Sequence, residues 1–510
     1  MDISTILAVI LGGLILLILY FLWTHQNAKN YWKYRGIPQV PGSHPVVGNI
    51  LPLIRQTHNL ITLITEFYEK NQKSSMVGML HMMNPALILR DPELVKTVMQ
   101  VEFHNFNENH FLVSMENDPL FSKNPFFSTG EAWIAGRKRL TYAFSSMRLK
   151  ILVESIRAVS HKLDAYILKQ LKDKNSLEVE LKDLFARFTL EAVANAGFGL
   201  EGFSFDDEKH PGSLKEMSAK IFQPSTLSNM KFILMLAFPN FSKILGFSLL
   251  PQEIDRYFRS LVKEIIKVRK GETVPRNDFF QLMTDLEKTE GEEIDIESMT
   301  AYVLSFLIDG YETSSTTLSF VGFGLAKHPD AQERAREEVK SVLSNHNNTI
   351  NYDCLKELTY MDQIINESMR LYPAAGVLSK TCTKDTQLKG FDGLICDVEK
   401  GTQIIIPVKG LQNDPKYWKD PEIFDPERFS KENSKDITKY TFLPFGEGPR
   451  QCVGMRMAQM QMKAALTAVL DKYSLELSPR TRLPLTIDPQ QGIMPNPLGG
   501  IWVYIKPLRH

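Results

Sequence analysis

From Ile6 to Trp23 the chain reads ILAVILGGLILLILYFLW, eighteen residues without a charge. A run of that length reads as a helix just able to cross a bilayer core of about 30 Å. Tyr20 and Trp23 fall at its far end, where aromatic rings favour the membrane interface. A cleaved signal peptide fits poorly, because Asp2 stands where such peptides are basic and no small-x-small site follows. Lys29, Lys33 and Arg35 come next, which by the positive-inside rule places the remainder in the cytosol. The expectation is a single N-terminal transmembrane anchor over residues 1–23 and a basic, proline-rich hinge over 24–49. In the hinge Pro38, Pro41 and Pro45 make a stiff, extended connector.

Beyond residue 50 there is no second linker, repeat or low-complexity run, so 50–510 reads as one large domain. Helix periodicity dominates, as in DAQERAREEVKSVL (330–343) and the run 299–326. Strand-like runs are fewer: a hairpin over 76–90 turning at Asn84-Pro85, then 402–408 and 502–507. The fold class is mainly α with small β-sheets near the two ends of the body. The greasy stretch 221–251 reads either as a core helix or as a surface segment dipping into the membrane and roofing an apolar pocket. Lysine plus arginine balances aspartate plus glutamate at 59 each, so no bulk field draws nucleic acid.

The second constraint is FGEGPRQCVG, residues 445–454. The four cysteines, Cys354, Cys382, Cys396 and Cys452, form no CxxC or CxxxC pair, which argues against structural zinc. A chain this long needs no disulfide framework, and a reducing cytosol keeps thiols free. Cys452 differs from the others in its neighbours. Gly446, Gly448 and Gly454 allow the backbone to wrap tightly around a sulfur, and Pro449 stiffens the turn. A strong helix follows, so the sulfur lies near a helix N-terminus, where anions are stabilised. Such a setting suits a haem whose iron takes a cysteine thiolate.

The stretch Phe445-Gly446-x-Gly448-x-Arg450-x-Cys452-x-Gly454 resembles, position for position, the haem-ligand loop of the cytochrome P450 family. Four other elements occur in the family's order, so the resemblance covers nearly the whole chain. The anchor and hinge match its microsomal branch, and the central and haem-loop segments are similar to an insect xenobiotic-metabolising type. The resemblance implies haem b (iron protoporphyrin IX) on the Cys452 thiolate, with Arg450 neutralising a cofactor carboxylate. It implies that Glu367 and Arg370, three apart in NESMR, join Arg428 of FDPERF in a buried charged cluster behind the haem. Trp133 and Arg137, in a WxxxR pattern, are implied propionate contacts; Lys380 stands where the family usually has an arginine, keeping the charge but losing the bidentate fork.

In FLIDGYETSS, Glu312 and Thr313 match the family's acid–threonine pair, in which a hydroxyl relays protons to dioxygen. A threonine bonded back to its own helix carbonyl is the plainer reading, and both can hold at once. Gly310 costs a helix about 1 kcal/mol against alanine, so it is expected to make room. Asp309 departs from the family's alanine or glycine; either it becomes ester-linked to the haem, as a glutamate does in the fatty-acid ω-hydroxylase branch, or it is a carboxylate paired within the pocket. Phe106, Phe111, Phe121, Phe126 and Phe127, with 374–378 and 492–498, are candidate pocket walls and imply a lipophilic substrate.

The function expected is a monooxygenase of the endoplasmic reticulum membrane, facing the cytosol and inserting one atom of O2 into a xenobiotic, fatty acid or steroid-like molecule. No GxGxxG dinucleotide fingerprint lies in a strand-turn-helix setting, so the electrons come from a separate NADPH-cytochrome P450 reductase, with cytochrome b5 as a further donor. Lys138, Arg139, Arg148, Lys150, Arg456 and Lys463 are the candidate basic face for it. The rivals are a peroxide isomerase or dehydratase on the same fold, and a non-catalytic haem or lipid carrier.

Overall fold

The structure, a computed structural model, describes residues 3–110, 116–172, 174–208, 210–222, 235, 244–273, 276–290, 295–491 and 494–508. Phe111, Gly492 and most of 221–251 lie outside these. The first helix runs unbroken from Ile3 to Tyr34, through residue 23. Along it Leu11, Ile15, Leu16, Leu19, Leu22 and Trp23 are exposed. Among the described residues no helix is long and apolar enough to cross a membrane; several side chains of the Ile6–Trp23 run, such as those of 6–10, are not among those described.

The helix ends by docking. Trp32 is buried and its indole N–H donates to the Met79 carbonyl at 3.0 Å. Gly78 faces the indole, and a Cβ there would sit 2.2 Å from a Trp32 ring carbon. The proline-rich connector is pinned too: Gly78 N–H donates to Pro38 O at 2.8 Å, and Val40 N–H to Gly78 O at 2.9 Å. Its stiffness is therefore enforced by the sheet as well as by proline.

The strands are β1 (Met76–His81), β2 (Asn84–Leu89), β3 (Glu108–Asn109), β4 (Leu177–Glu180), β5 (Leu378–Thr381), β6 (Thr386–Lys389), β7 (Ile395–Val398), β8 (Gln403–Ile406), β9 (Tyr473–Leu477) and β10 (Trp502–Pro507). One sheet has the order β1-β2-β8-β5-β3, another β4-β10-β9, and β6 pairs β7 alone. The sheets are thus not confined to the ends of the body: residues 378–406 return to pair with β2 and β3. The hairpin turns at Met82-Met83, two residues before Asn84-Pro85, with Met82 at φ 56°.

The long helix Ile296–Lys327 threads the larger core. Asp295 caps it, accepting from the N–H groups of Glu297 and Ser298 at 3.1 Å each. Its serines and threonines back-bond to their own helix, Thr300 to Ile296 O and Ser305 to Ala301 O among them, so polar side chains inside the core stay satisfied. It packs against the helix Leu181–Phe198, where Gly197 admits Phe306: a Cβ there would lie 2.9 Å from that ring. Phe106 is wholly buried beneath the five-stranded sheet, so it is core rather than pocket wall.

Candidate functional site

The loop before the helix Met455–Leu470 folds as its glycines require. Gly446 and Gly448 have φ of 68° and 73°, and a Cβ at Gly448 would lie 2.0 Å from the Met99 carbonyl oxygen. The Cys452 N–H donates to Phe445 O at 2.9 Å, closing the loop. Backbone N–H groups of Gly454 and Met455 point at the sulfur and draw its pKa down, while burial outweighs them and pushes the thiol up to about 11. The other three cysteines are buried; Cys452 is exposed. The sulfur thus has open surface and yet is desolvated by the protein around it.

Asp309 has the same double character. Its side chain has open surface, yet burial raises its pKa to about 7, with Asn124 the only group holding it down. Its charge pushes Cys452 up further, so the two groups lie within electrostatic reach of each other. The Asn124 amide donates to Asp309 Oδ2 at 3.4 Å. One turn on, the Thr313 hydroxyl donates to the Asp309 backbone carbonyl at 2.6 Å, the bond that the plain reading of this threonine expects.

Glu312 points elsewhere. Its carboxylate lies 2.9 Å from Lys182 Nζ on the neighbouring helix, and that lysine also donates to Ser315 Oγ and Thr316 Oγ1. Burial depresses Lys182 and the Glu312 charge opposes the shift. Gly310 likewise turns its bare Cα toward that helix, where a Cβ would meet Val193 Cγ2 at 3.2 Å.

Cations gather at the edge of the space beside Cys452. Arg137 donates to Gln451 O at 2.5 Å; burial lowers its pKa and the Cys452 sulfur opposes this. Lys380 is buried on β5, donates to Asn109 Oδ1 at 2.7 Å, and is lowered to about 7 by burial and by Arg450. Among the described residues neither has a carboxylate partner. Arg450 is committed differently: it donates to the carbonyls of Asn107, Pro125 and Ser128, and its guanidinium lies 4.5 Å from the Trp133 ring centre. It clips the cysteine loop to the 107–128 segment.

Behind the loop, Glu367 and Arg370 are fully buried and meet in two bonds of 2.7 Å each. Arg370 also donates to Gln412 O and Ile423 O, Asp425 N–H donates to Glu367, and Arg428 Nε lies 3.5 Å from the same carboxylate. The three charges expected from the sequence do meet. Of the expected basic face, Lys463 is removed, since it is 3% exposed and bonded to Asp362; Lys150 pairs with Asp353 and Arg456 bonds Ser146 Oγ. Phe126 is exposed, whereas Phe121 is buried.

Asn124, Asn109 and Lys182 went unnoticed in the sequence. The one signal for Asn124 is an amide set directly before Pro125 and two phenylalanines. Two clefts of about 220 and 250 Å³ open elsewhere, beside Phe320 and Phe424 and beside Arg55; Cys452, Asp309 and Thr313 line neither.

This donor set fits a dianionic iron porphyrin: a desolvated sulfur whose ionisation a metal cation would favour, two backbone donors on it, and two cations lacking carboxylate partners.

A family model described as Cytochrome P450 matches residues 38–503. The chain is similar to cytochrome P450 6a2 of Drosophila melanogaster, 31% identical over 495 residues that cover 94% of this chain and 96% of that one. It is 33% identical to cytochrome P450 6j1 of Blattella germanica over 504 residues, 99% of this chain and 98% of that one. To cytochrome P450 9e2 of the same insect it is 31% identical over 522 residues, 96% of each chain.

Proposed function

Since the chain belongs to the cytochrome P450 family of monooxygenase oxidoreductases, we propose that it inserts one atom of O2 into a lipophilic foreign compound, using electrons from a separate NADPH-dependent flavoprotein reductase. The observation carrying this reading is the Cys452 thiol, open at its surface, with two N–H donors on it and within electrostatic reach of Asp309 on the helix Ile296–Lys327. Haem b bound there supplies the one-electron and dioxygen chemistry.

The chain's own residues prepare that chemistry. Cys452 would hold the iron as its thiolate, and the N–H groups of Gly454 and Met455 would stabilise the charge on sulfur. Arg137 and Lys380 would hold the cofactor's two carboxylates, and a carboxylate beside Lys380 would raise its lowered pKa and favour its charged form. Trp133, Phe445 and Gly446 shape the edge, with Arg450 bracing the loop. The Glu367–Arg370–Arg428 cluster keeps the region behind the loop from shifting. Thr313 turns its hydroxyl from the Asp309 carbonyl to pass a proton, and Glu312 resupplies it when its ion pair with Lys182 opens.

The apolar run Ile6–Trp23 and the cations after it support a cytosol-facing anchor in the endoplasmic reticulum membrane. Reconstitution with reductase under ¹⁸O2 tests the reaction. One labelled atom in the product, with NADPH consumed, is the expected result. Rearrangement of a hydroperoxide without reductase, and no label incorporated, would instead establish the isomerase.

A further inference from the structure

We propose that Asp309 determines specificity, selecting lipophilic substrates that carry a cationic nitrogen and disfavouring those that carry a carboxylate. The proposal rests on the monooxygenase reading above and names the substrate class of the same site.

The ground is an open valence in an otherwise satisfied interior. Asn124 is buried and locked: its Oδ1 accepts the Phe126 N–H at 2.6 Å, and its backbone carbonyl accepts from Phe127 and Ser128. Its amide can therefore reach Asp309 only on one oxygen, at a long 3.4 Å. No cation answers the other oxygen. Lys182 pairs with Glu312, while Arg137 donates to the Gln451 carbonyl and Lys380 to Asn109, neither of them to Asp309. Among the described residues Asp309 has no ion pair.

A desolvated carboxyl with one weak neutral donor is costly unless something completes it. A cation entering the space restores the interaction that burial removed, and the low dielectric strengthens it. A neutral molecule gains no such interaction. A carboxylate meets repulsion, or must itself take up a proton. The aromatic side chains at 121, 126 and 127 form edge-to-face contacts of 5.1–5.2 Å on the segment carrying Asn124, which suits an apolar body attached to that cation.

The test uses the full-length, haem-loaded protein and three ligands with one arylalkyl tail, ending in trimethylammonium, tert-butyl or carboxylate. The quaternary nitrogen has no lone pair, so it cannot ligate iron and imitate the effect. Calorimetric titration of the wild type should rank the cation about tenfold tighter than its neutral isostere, with the carboxylate weakest. Asp309→Asn should abolish the cation's advantage while leaving the neutral ligand within about twofold. Asp309→Glu should keep most of that advantage.

A wild type that binds cation and neutral ligand equally overturns the proposal, as does an advantage surviving in Asp309→Asn. Should Asp309→Asn lose its haem, the wild-type series and Asp309→Glu still decide. Haem that stays with the denatured protein in mass spectrometry would also overturn it, because an ester consumes the carboxylate. If the wild type lacks a thiolate-type spectrum, the monooxygenase reading itself fails; an intact spectrum with no charge preference sinks only this inference.

Discussion

Two desolvated carboxylates, the buried Glu367 behind the cysteine loop and Asp309 on the helix Ile296–Lys327, have been treated in opposite ways. Burial raises both. Glu367 is answered by Arg370, by Arg428 and by a backbone N–H, until nothing is left to bind. Asp309 is answered by one amide at 3.4 Å and left open. The rear of the site is a closed network that fixes geometry, whereas the front keeps polar capacity in reserve. Glu312 belongs with the rear in this respect, although it lies on the same helix as Asp309, because Lys182 closes its valence.

The largest effect that would sharpen this contrast is at Glu367. Replacing it with alanine strands the Arg370 guanidinium at 0% exposure, and removal of one partner from such a pair costs about 3–5 kcal/mol. Thermal unfolding of the haem-loaded protein should show that loss, accompanied by faster haem release. Next comes Gly448→Ala, which places a Cβ 2.0 Å from Met99 O at a φ of 73°. Overpacking and backbone strain together should cost at least about 2 kcal/mol, read the same way.

At the front the expected effects are smaller and depend on pH. Asp309 titrates near 3.8 when unfolded and at about 7 when folded. The folded state therefore keeps a proton that the unfolded state has lost between those values. Its contribution to stability is greatest below the lower value and declines as pH rises through the window. Melting temperatures from pH 4.5 to 7.5 should fall more steeply for the wild type than for Asp309→Asn; parallel curves would break the contrast. Smallest is Gly310→Ala. About 1 kcal/mol gained in helix propensity meets a tight 3.2 Å contact with Val193, so denaturant unfolding should shift by less than about 0.5 kcal/mol. A large loss of substrate binding there would mean that Gly310 faces the pocket after all.

Much of the rear was legible in the sequence. Glycine spacing around Cys452 carried the loop, because only φ near 70° lets the chain pass Met99. Glu367, Arg370 and Arg428 could be paired because the family motif states what spacing alone cannot, that residues as far apart in sequence as Glu367 and Arg428 meet. The front was less legible. Glu312 and Asp309 are three residues apart, and only the partner helix decides that one meets Lys182 and the other the open space. The return of residues 378–406 to the first sheet, and the burial of Phe106 beneath it, were hidden for a similar reason: short strands announce themselves through their partners.

The central claim is that Cys452 is a thiolate ligand to haem iron, and the absorption spectrum of the reduced protein under carbon monoxide tests it most directly. A strongly red-shifted Soret band that disappears in Cys452→Ala is the predicted result. A band at the position typical of histidine or neutral-thiol ligation in fresh wild-type protein, or no haem bound at all, would contradict it.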